Sequence, residues 1–174
     1  MSRGFVKESD QEPEPFVPPR AVLPEGATNY VTPRGLRLLR GEREMLEGRR
    51  ADLGDATEDE ARRESGVIAK QLLALDARIA SARLVEVTDV SAGEVRFGTT
   101  VRYRQTAPKR GKTASVTIVG VDEANFREGR VSYLSPLAKA LVGKKVGEEA
   151  EMRMGAERRR FRVEGVGAAG AAEA

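Results

Sequence analysis

Between Leu53 and Glu60 the chain reads Leu-Gly-Asp-Ala-Thr-Glu-Asp-Glu, four carboxylates with no basic residue among them. Side chains of this kind can hold a hard divalent cation, cap a helix or keep a loop solvated. Other chemistries are closed to the protein. It has no histidine, the commonest general base and zinc ligand, and no cysteine, so disulfides and thiolate metal sites are excluded.

Two helical segments must position this acidic stretch. Before it, Leu36, Leu39 and Leu46 fall at helical spacing; after it, Ala61, Ser65, Ile68, Leu72, Leu75, Ile79 and Ala82 alternate steps of three and four. The pattern predicts an antiparallel helical hairpin with the acids at its tip. Thr32 is the expected N-cap of the first helix, with Pro33 at its first position and an end near Leu53; the second helix is expected from about Thr57 to Ala82. Gly54 is expected to end the first helix at positive φ, and Asp55 or Thr57 to cap the second. Arginines at 34, 37, 40, 43, 49 and 50 outnumber Glu42, Glu44 and Glu47, giving a basic shaft beneath the acidic tip. Arg43 and Arg50 interrupt the seam, and Gly66 costs roughly 1 kcal/mol relative to alanine, so the hairpin is expected to be loosest towards its tip.

The flanking segments differ in kind. Residues 1–29, with Glu-Pro-Glu-Pro and Val-Pro-Pro-Arg, read as an extended or disordered Pro-rich tail in which Val17 and Val22 touch the folded part. From Leu84 the period falls to two. Strands are expected at 84–87, 94–97, 99–104, 115–121, 130–133, 151–154 and 159–166, forming a small twisted antiparallel sheet. Ser135 to Gly143 reads as a short helix with Ser135 as N-cap, Pro136 at the first position and Gly143 as the stop, turning Leu137, Leu141 and Val142 to the sheet. The Gly/Ala-rich end, 167–174, is expected to fray. The fold class is thus α+β, with a hairpin at 30–83 and a C-terminal domain at 84–166.

Charge is unevenly placed: residues 1–31 carry net −2, 32–86 net 0 and 87–174 net +5. No apolar run approaches the ~20 residues of a membrane span, and the N-terminus lacks the apolar core of a signal peptide. A cytoplasmic monomer without a membrane partner is expected.

Several motifs in order carry a resemblance: Tyr-Val-Thr-Pro-Arg-Gly at 30–35, Gly-Asp-x-x-Glu at 54–58, Phe-Gly-Thr-Thr-Val at 97–101, Ile-Val-Gly-Val-Asp-Glu-Ala at 118–124 and Ser-Pro-Leu-Ala-Lys-Ala-Leu-Val-Gly at 135–143. Over about residues 30–166 the chain resembles the GreA/GreB family of bacterial transcript-cleavage factors. The resemblance implies a coiled-coil hairpin followed by an FKBP-like domain, and a factor that binds bacterial RNA polymerase at its secondary channel and inserts the hairpin. Nascent RNA and DNA would be met only through that complex. Asp55 and Glu58 stand where the family holds metal, with Asp59 beside them, so the resemblance makes these carboxylates the catalytic ones within the polymerase. Two-metal phosphodiester hydrolysis suits them, but an exposed pair binds Mg²⁺ weakly. The protein is therefore expected to have no cofactor of its own and to share Mg²⁺ with the polymerase as an accessory factor, not an enzyme. Ser135, Pro136 and Leu137 resemble the family's polymerase-contacting segment.

One departure from the family pattern bears on the chemistry. The hairpin is about fifteen residues shorter than in the long cleavage factors, roughly seven per arm, which at 1.5 Å per residue retracts the tip by about 10 Å. A short-hairpin regulator without cleavage stimulation is the alternative function. Two further readings come from other classes. A peptidyl-prolyl isomerase needs an aromatic-lined pocket, for which this half offers only Phe97, Tyr103, Phe126, Tyr133 and Phe161, most of them claimed by the core. A direct nucleic-acid-binding module would rest on Arg102, Arg104, Lys109, Arg110 and Lys112, bind by phosphate charge and weaken steeply with salt.

Overall fold

The computed structural model describes residues 20–55, 57–87, 90 and 92–169, with the backbone alone at Asp55. Helix α1, Pro33–Ala51, begins as its sequence dictates: Pro33 fills the first position and Thr32 Oγ1 accepts the Gly35 N–H at 2.9 Å. Its C-terminus passes into a 3₁₀ turn, Asp52–Asp55, and helix α2 spans Glu58–Ala80. Leu39 and Leu46 of α1 meet Ile68, Leu72 and Leu75 of α2 in one buried seam, extended by Leu36, Leu53, Ile79 and Ala82. The spacing that predicts the seam is the spacing that packs.

Details at the tip differ from expectation. Gly54 is not among the positive-φ glycines, because the chain leaves α1 by tightening into the 3₁₀ turn and needs no left-handed residue there. Thr57 occupies the N-cap position of α2 without a side-chain cap bond; its hydroxyl donates instead to Glu60 at 2.6 Å. Arg43 does not merely interrupt the seam. It donates across the hairpin to Asp76 at 2.8 Å and along α1 to Glu47 at 3.0 Å, and Arg49 pairs with Glu64. The hydrogen bond to Asp76, with Glu47 nearby, raises the Arg43 pKa further.

At the hairpin's root, short strands β1, Tyr30–Val31, and β2, Arg83–Leu84, pair in parallel and tie the entry of α1 to the exit of α2. Five further strands build the second part: β3 Thr99–Ala107, β4 Thr113–Val119, β5 Arg130–Ser132, β6 Glu149–Met154 and β7 Glu157–Ala168. Their order is β5-β4-β3-β7-β6, and every pairing is antiparallel except β4–β5. The sheet is therefore mixed, not wholly antiparallel. A parallel pair needs a crossover rather than a tight turn, and residues 120–129 supply it. Strand β7 continues through Gly165, Val166 and Gly167 to Ala168, since Thr99 and Thr100 offer partners to the stretch expected to fray. Residues 94–97, expected as a strand, contribute only an isolated bridge between Glu94 and Lys145.

Helix α3, Pro136–Leu141, covers the concave face. Its Ala138 and Leu141 join Val95, Val101, Val116, Ile118, Val131, Ala150, Met152, Phe161 and Val163 in the core, with Leu137 packed against them. Val142 is instead exposed, because the helix stops at Leu141 and the chain turns out through Gly143 at φ 82°.

Candidate functional site

The tip carboxylates lie at the end of the hairpin farthest from the sheet. Asp55 closes the 3₁₀ turn, and Glu58 and Asp59 open α2, where anionic side chains are favoured by the helix N-terminus. Glu58 is 90% exposed and, among the described residues, pairs with Arg62, an i,i+4 neighbour at 3.5 Å. Such a pair contributes little in water, so Glu58 remains available to a partner. Among the described residues no three acidic side chains gather into a group able to hold a metal ion.

The second set of expected residues lies at the other end of the hairpin. Ser135 Oγ accepts the Ala138 N–H at 3.2 Å as the N-cap of α3, Pro136 is exposed, and Leu137 is half-buried against the core. Ser135 and Leu137 thus shape the turn while Pro136 is the surface they present. Two residues earlier, the Tyr133 hydroxyl donates to the Thr28 carbonyl, and its ring meets Tyr30 and Phe97 edge-on at 5.6 and 5.9 Å. The turn and the root of the hairpin are therefore one packed unit.

Sequence reasoning missed the ionic node that fixes this root. Glu123, in the β4–β5 crossover, has a side chain only 2% exposed. It accepts from Thr32 Oγ1, from Arg130 at 3.0 Å and from Arg34 at 3.4 Å, so the N-cap hydroxyl of α1 and two guanidiniums converge on one carboxylate. Gly35 makes room, since a Cβ there would lie 2.8 Å from Glu123 Oε2. At Gly120 a Cβ would lie 2.4 Å from the Tyr30 carbonyl oxygen, so only glycine lets the sheet approach β1 this closely. Beside it, Arg20 donates to Glu42 at 2.7 and 3.0 Å and to Asp122 at 3.2 Å, while Arg78 donates to the Ala21 carbonyl at 2.6 Å and pairs with Asp122 at 3.3 Å. The bond to Glu42 raises the Arg20 pKa despite partial burial. The segment from Arg20 onward, read as tail, is thereby strapped to both helices and to the crossover; Val22 in it is exposed, and Val17 lies outside the described residues. The readable signals were the Thr-Pro-Arg-Gly and Val-Asp-Glu motifs, whose acidic and basic members meet only in the fold.

The other readings fare differently. Tyr103 packs edge-on against Phe161, and Tyr30, Phe97 and Tyr133 form a triangle, while Phe126 stands alone at 79% exposure. No helix among the described residues is long and apolar enough to cross a membrane.

Residues 90–167 match the family model described as "Transcription elongation factor, GreA/GreB, C-term". The chain is 35% identical over 114 residues to the transcription elongation factor GreA of Methylococcus capsulatus, a match covering 64% of this chain and 71% of that protein. With GreA of Vibrio vulnificus it shares 32% identity over 151 residues, covering 78% and 95% of the two chains. Among solved structures, the GreA factor homolog 1 (Gfh1) of Thermus thermophilus aligns at 23% identity and TM-score 0.37, and a GreA/GreB factor from Nitrosomonas europaea at 21% and 0.39, each covering 79% of this chain and 97% of the other. Those overlaps are loose, so the assignment rests on the sequence matches and the motifs they span: the chain belongs to the GreA/GreB family of transcription elongation factors.

Proposed function

We propose that this protein docks on bacterial RNA polymerase through the turn at Ser135–Leu137 and directs its hairpin into the secondary channel, where Asp55 and Glu58, with Asp59, complete a Mg²⁺ site for cleavage of backtracked transcripts. Members of this family are accessory factors, and the hydrolysis belongs to the polymerase. The observation that carries the reading is the exposure of Glu58 at the far end of a two-helix projection: a carboxylate whose pair with Arg62 is open to solvent, held away from the globular part. Carboxylate oxygens suit Mg²⁺, and an exposed pair of them binds it weakly unless a partner supplies further ligands. Docking at Pro136 would set the hairpin's direction, because Tyr133 binds the root directly.

Hairpin length favours a second reading. Helices of 19 and 23 residues extend only about 28 and 35 Å. If the tip stops short of the polymerase's own ligands, the protein occupies the channel and regulates elongation without stimulating cleavage. Backtracked elongation complexes incubated with and without the protein separate the two. Accelerated release of short 3′ RNA fragments supports the first; polymerase binding without such release supports the second.

A further inference from the structure

The convex face of the five-stranded sheet carries an array that the hairpin chemistry does not use. The alternation set by buried Phe161 and Val163 turns Arg158, Arg160 and Arg162 of β7 outward; β6 adds Arg153, and β3 adds Arg102 and Arg104. All but Arg104 are exposed. Against these six arginines the same face has three acids. Arg104 donates to Glu164 at 2.6 Å and holds that carboxyl below the usual range, Arg162 reaches Glu149 at 3.3 Å, and Arg158 lies 3.7 Å from Glu151. Cations remain in excess. The β3–β4 loop adds Lys109, Arg110 and Lys112 at the same end of the sheet as Arg160, since Ala107 pairs with Arg160 in register.

The register makes this array costly. Arg153 lies directly opposite Arg158, and Arg104 opposite Arg162. Like charges facing each other across strands destabilise a sheet; Glu164 and Glu149 compensate Arg104 and Arg162, whereas Arg153 and Arg158 have Glu151 at 3.7 Å from Arg158 alone. A polyanion neutralising both members of each pair would turn repulsion into attraction.

We infer that this convex face is a docking surface for the phosphate backbone of a nucleic-acid duplex. Guanidinium forks match phosphate oxygens bidentately, and Arg158, Arg160 and Arg162 repeat every second residue, about 6.7 Å apart along the strand. A regular row of cations suits a polymer of regular charge better than the scattered acids of a protein surface. Among the described residues of β3, β6 and β7 no aromatic side chain shares the face, because Tyr103 and Phe161 pack into the core, so these strands offer no ring to stack the bases of a single strand. Duplex DNA, with one charge per roughly 1.7 Å of axis, is the denser target, and recognition should be independent of sequence. In β3, β4 and β7 this end lies opposite the one that meets the hairpin root and the Pro136 turn, so a duplex here would not compete with docking at that turn. The inference does not depend on transcript cleavage.

The test is fluorescence anisotropy of a mixed-sequence 30-base-pair DNA duplex titrated with the full chain between 50 and 200 mM salt. Engagement of four phosphates gives a slope of log affinity on log salt near −3.6, about a hundredfold loss over that range. The triple variant R153S, R158S and R160S should flatten the slope by roughly 0.9 for each contact removed and weaken binding at least tenfold at 50 mM, while thermal melting shows it folded. A second triple variant in the loop, K109S, R110S and K112S, should weaken binding in the same direction. R37S, R40S and R50S on the hairpin remove the same net charge and should leave binding nearly unchanged. The inference is overturned by absence of duplex binding at 50 mM, by equal losses from the hairpin and sheet variants, or by tighter binding of single strands. Loss of polymerase affinity in the sheet variant, without any duplex binding, would show a protein-docking face and overturn it equally.

Discussion

At the scale of single residues, the question is whether Asp55 and Glu58 act as metal ligands or as helix-terminal acids. The two roles respond differently to an isosteric change. Asparagine keeps the size of aspartate but is a poorer Mg²⁺ ligand, so Asp55→Asn should behave like Asp55→Ala if the carboxylate binds metal and should be nearly silent if it only keeps the turn solvated. In the cleavage reading, Asp55→Asn and Glu58→Gln should each lower fragment release roughly tenfold or more while polymerase affinity is retained, measured by cleavage rate and by pull-down from the same preparations. Full cleavage by the double variant would refute the carboxylate role. Stability should hardly move, because the Glu58–Arg62 pair is solvent-exposed.

At the scale of elements, reach and docking are separable. Inserting one heptad into each arm, in register with Ile68, Leu72, Leu75 and Ile79, keeps the seam and advances the tip by about 10 Å. If reach limits the chemistry, the lengthened protein should cleave well where the original cleaves poorly; equal activity, or loss on lengthening, shows that the original length already fits its target. For the proposed docking turn, Pro136 is the exposed residue of the three. Leu137→Asp would injure the core and Ser135→Glu would remove a helix cap, whereas Pro136→Glu changes an exposed residue. It should reduce polymerase pull-down at least tenfold with the circular-dichroism spectrum unchanged, and undiminished capture would remove this turn from the interface. Much of the element scale was legible in the sequence. The cap at Thr32 and Pro33, the seam, and the Ser135–Pro136 start of α3 are local patterns with local causes, and each forms where its residues place it. The last residues of β7 were not legible because their partner, β3, is distant in sequence, whereas at Gly54 and Thr57 a 3₁₀ exit and a hydroxyl bond to Glu60 three residues on are local alternatives to the expected caps.

At the scale of the whole molecule, the root of the hairpin converts two local structures into one directed object. Glu123 is the keystone: its removal leaves Arg130 and Arg34 with only the exposed Glu128 in common, at 3.8 and 3.3 Å, and deprives Thr32 of its acceptor. Breaking a fully buried pair costs about 3–5 kcal/mol, and the partial exposure of Arg34 and Arg130, with Glu128 still beside them, reduces this, so Glu123→Ala should lower unfolding stability by about 2 kcal/mol in denaturant titration. Gly120→Ala should cost roughly 1–3 kcal/mol by overpacking, since Tyr30 backbone must move from the new methyl. Both variants should also blur the hairpin's direction and weaken polymerase-dependent activity more than polymerase binding. Equal loss of both would show that the node matters only for folding.

The sequence by itself determined the helices, their seam, the acidic tip and the family, because periodicity, capping residues and linear motifs act over a few residues. Only the tertiary structure decided how the hairpin is aimed and which charges stand together. Thr32 and Glu123, ninety-one positions apart, meet because β1 passes over Gly120. Arginines at 102, 104, 153, 158, 160 and 162 become one face only when strand register aligns them. Pairing between distant segments is set by packing and loop closure, and a linear pattern of charges carries no record of which strands will lie side by side.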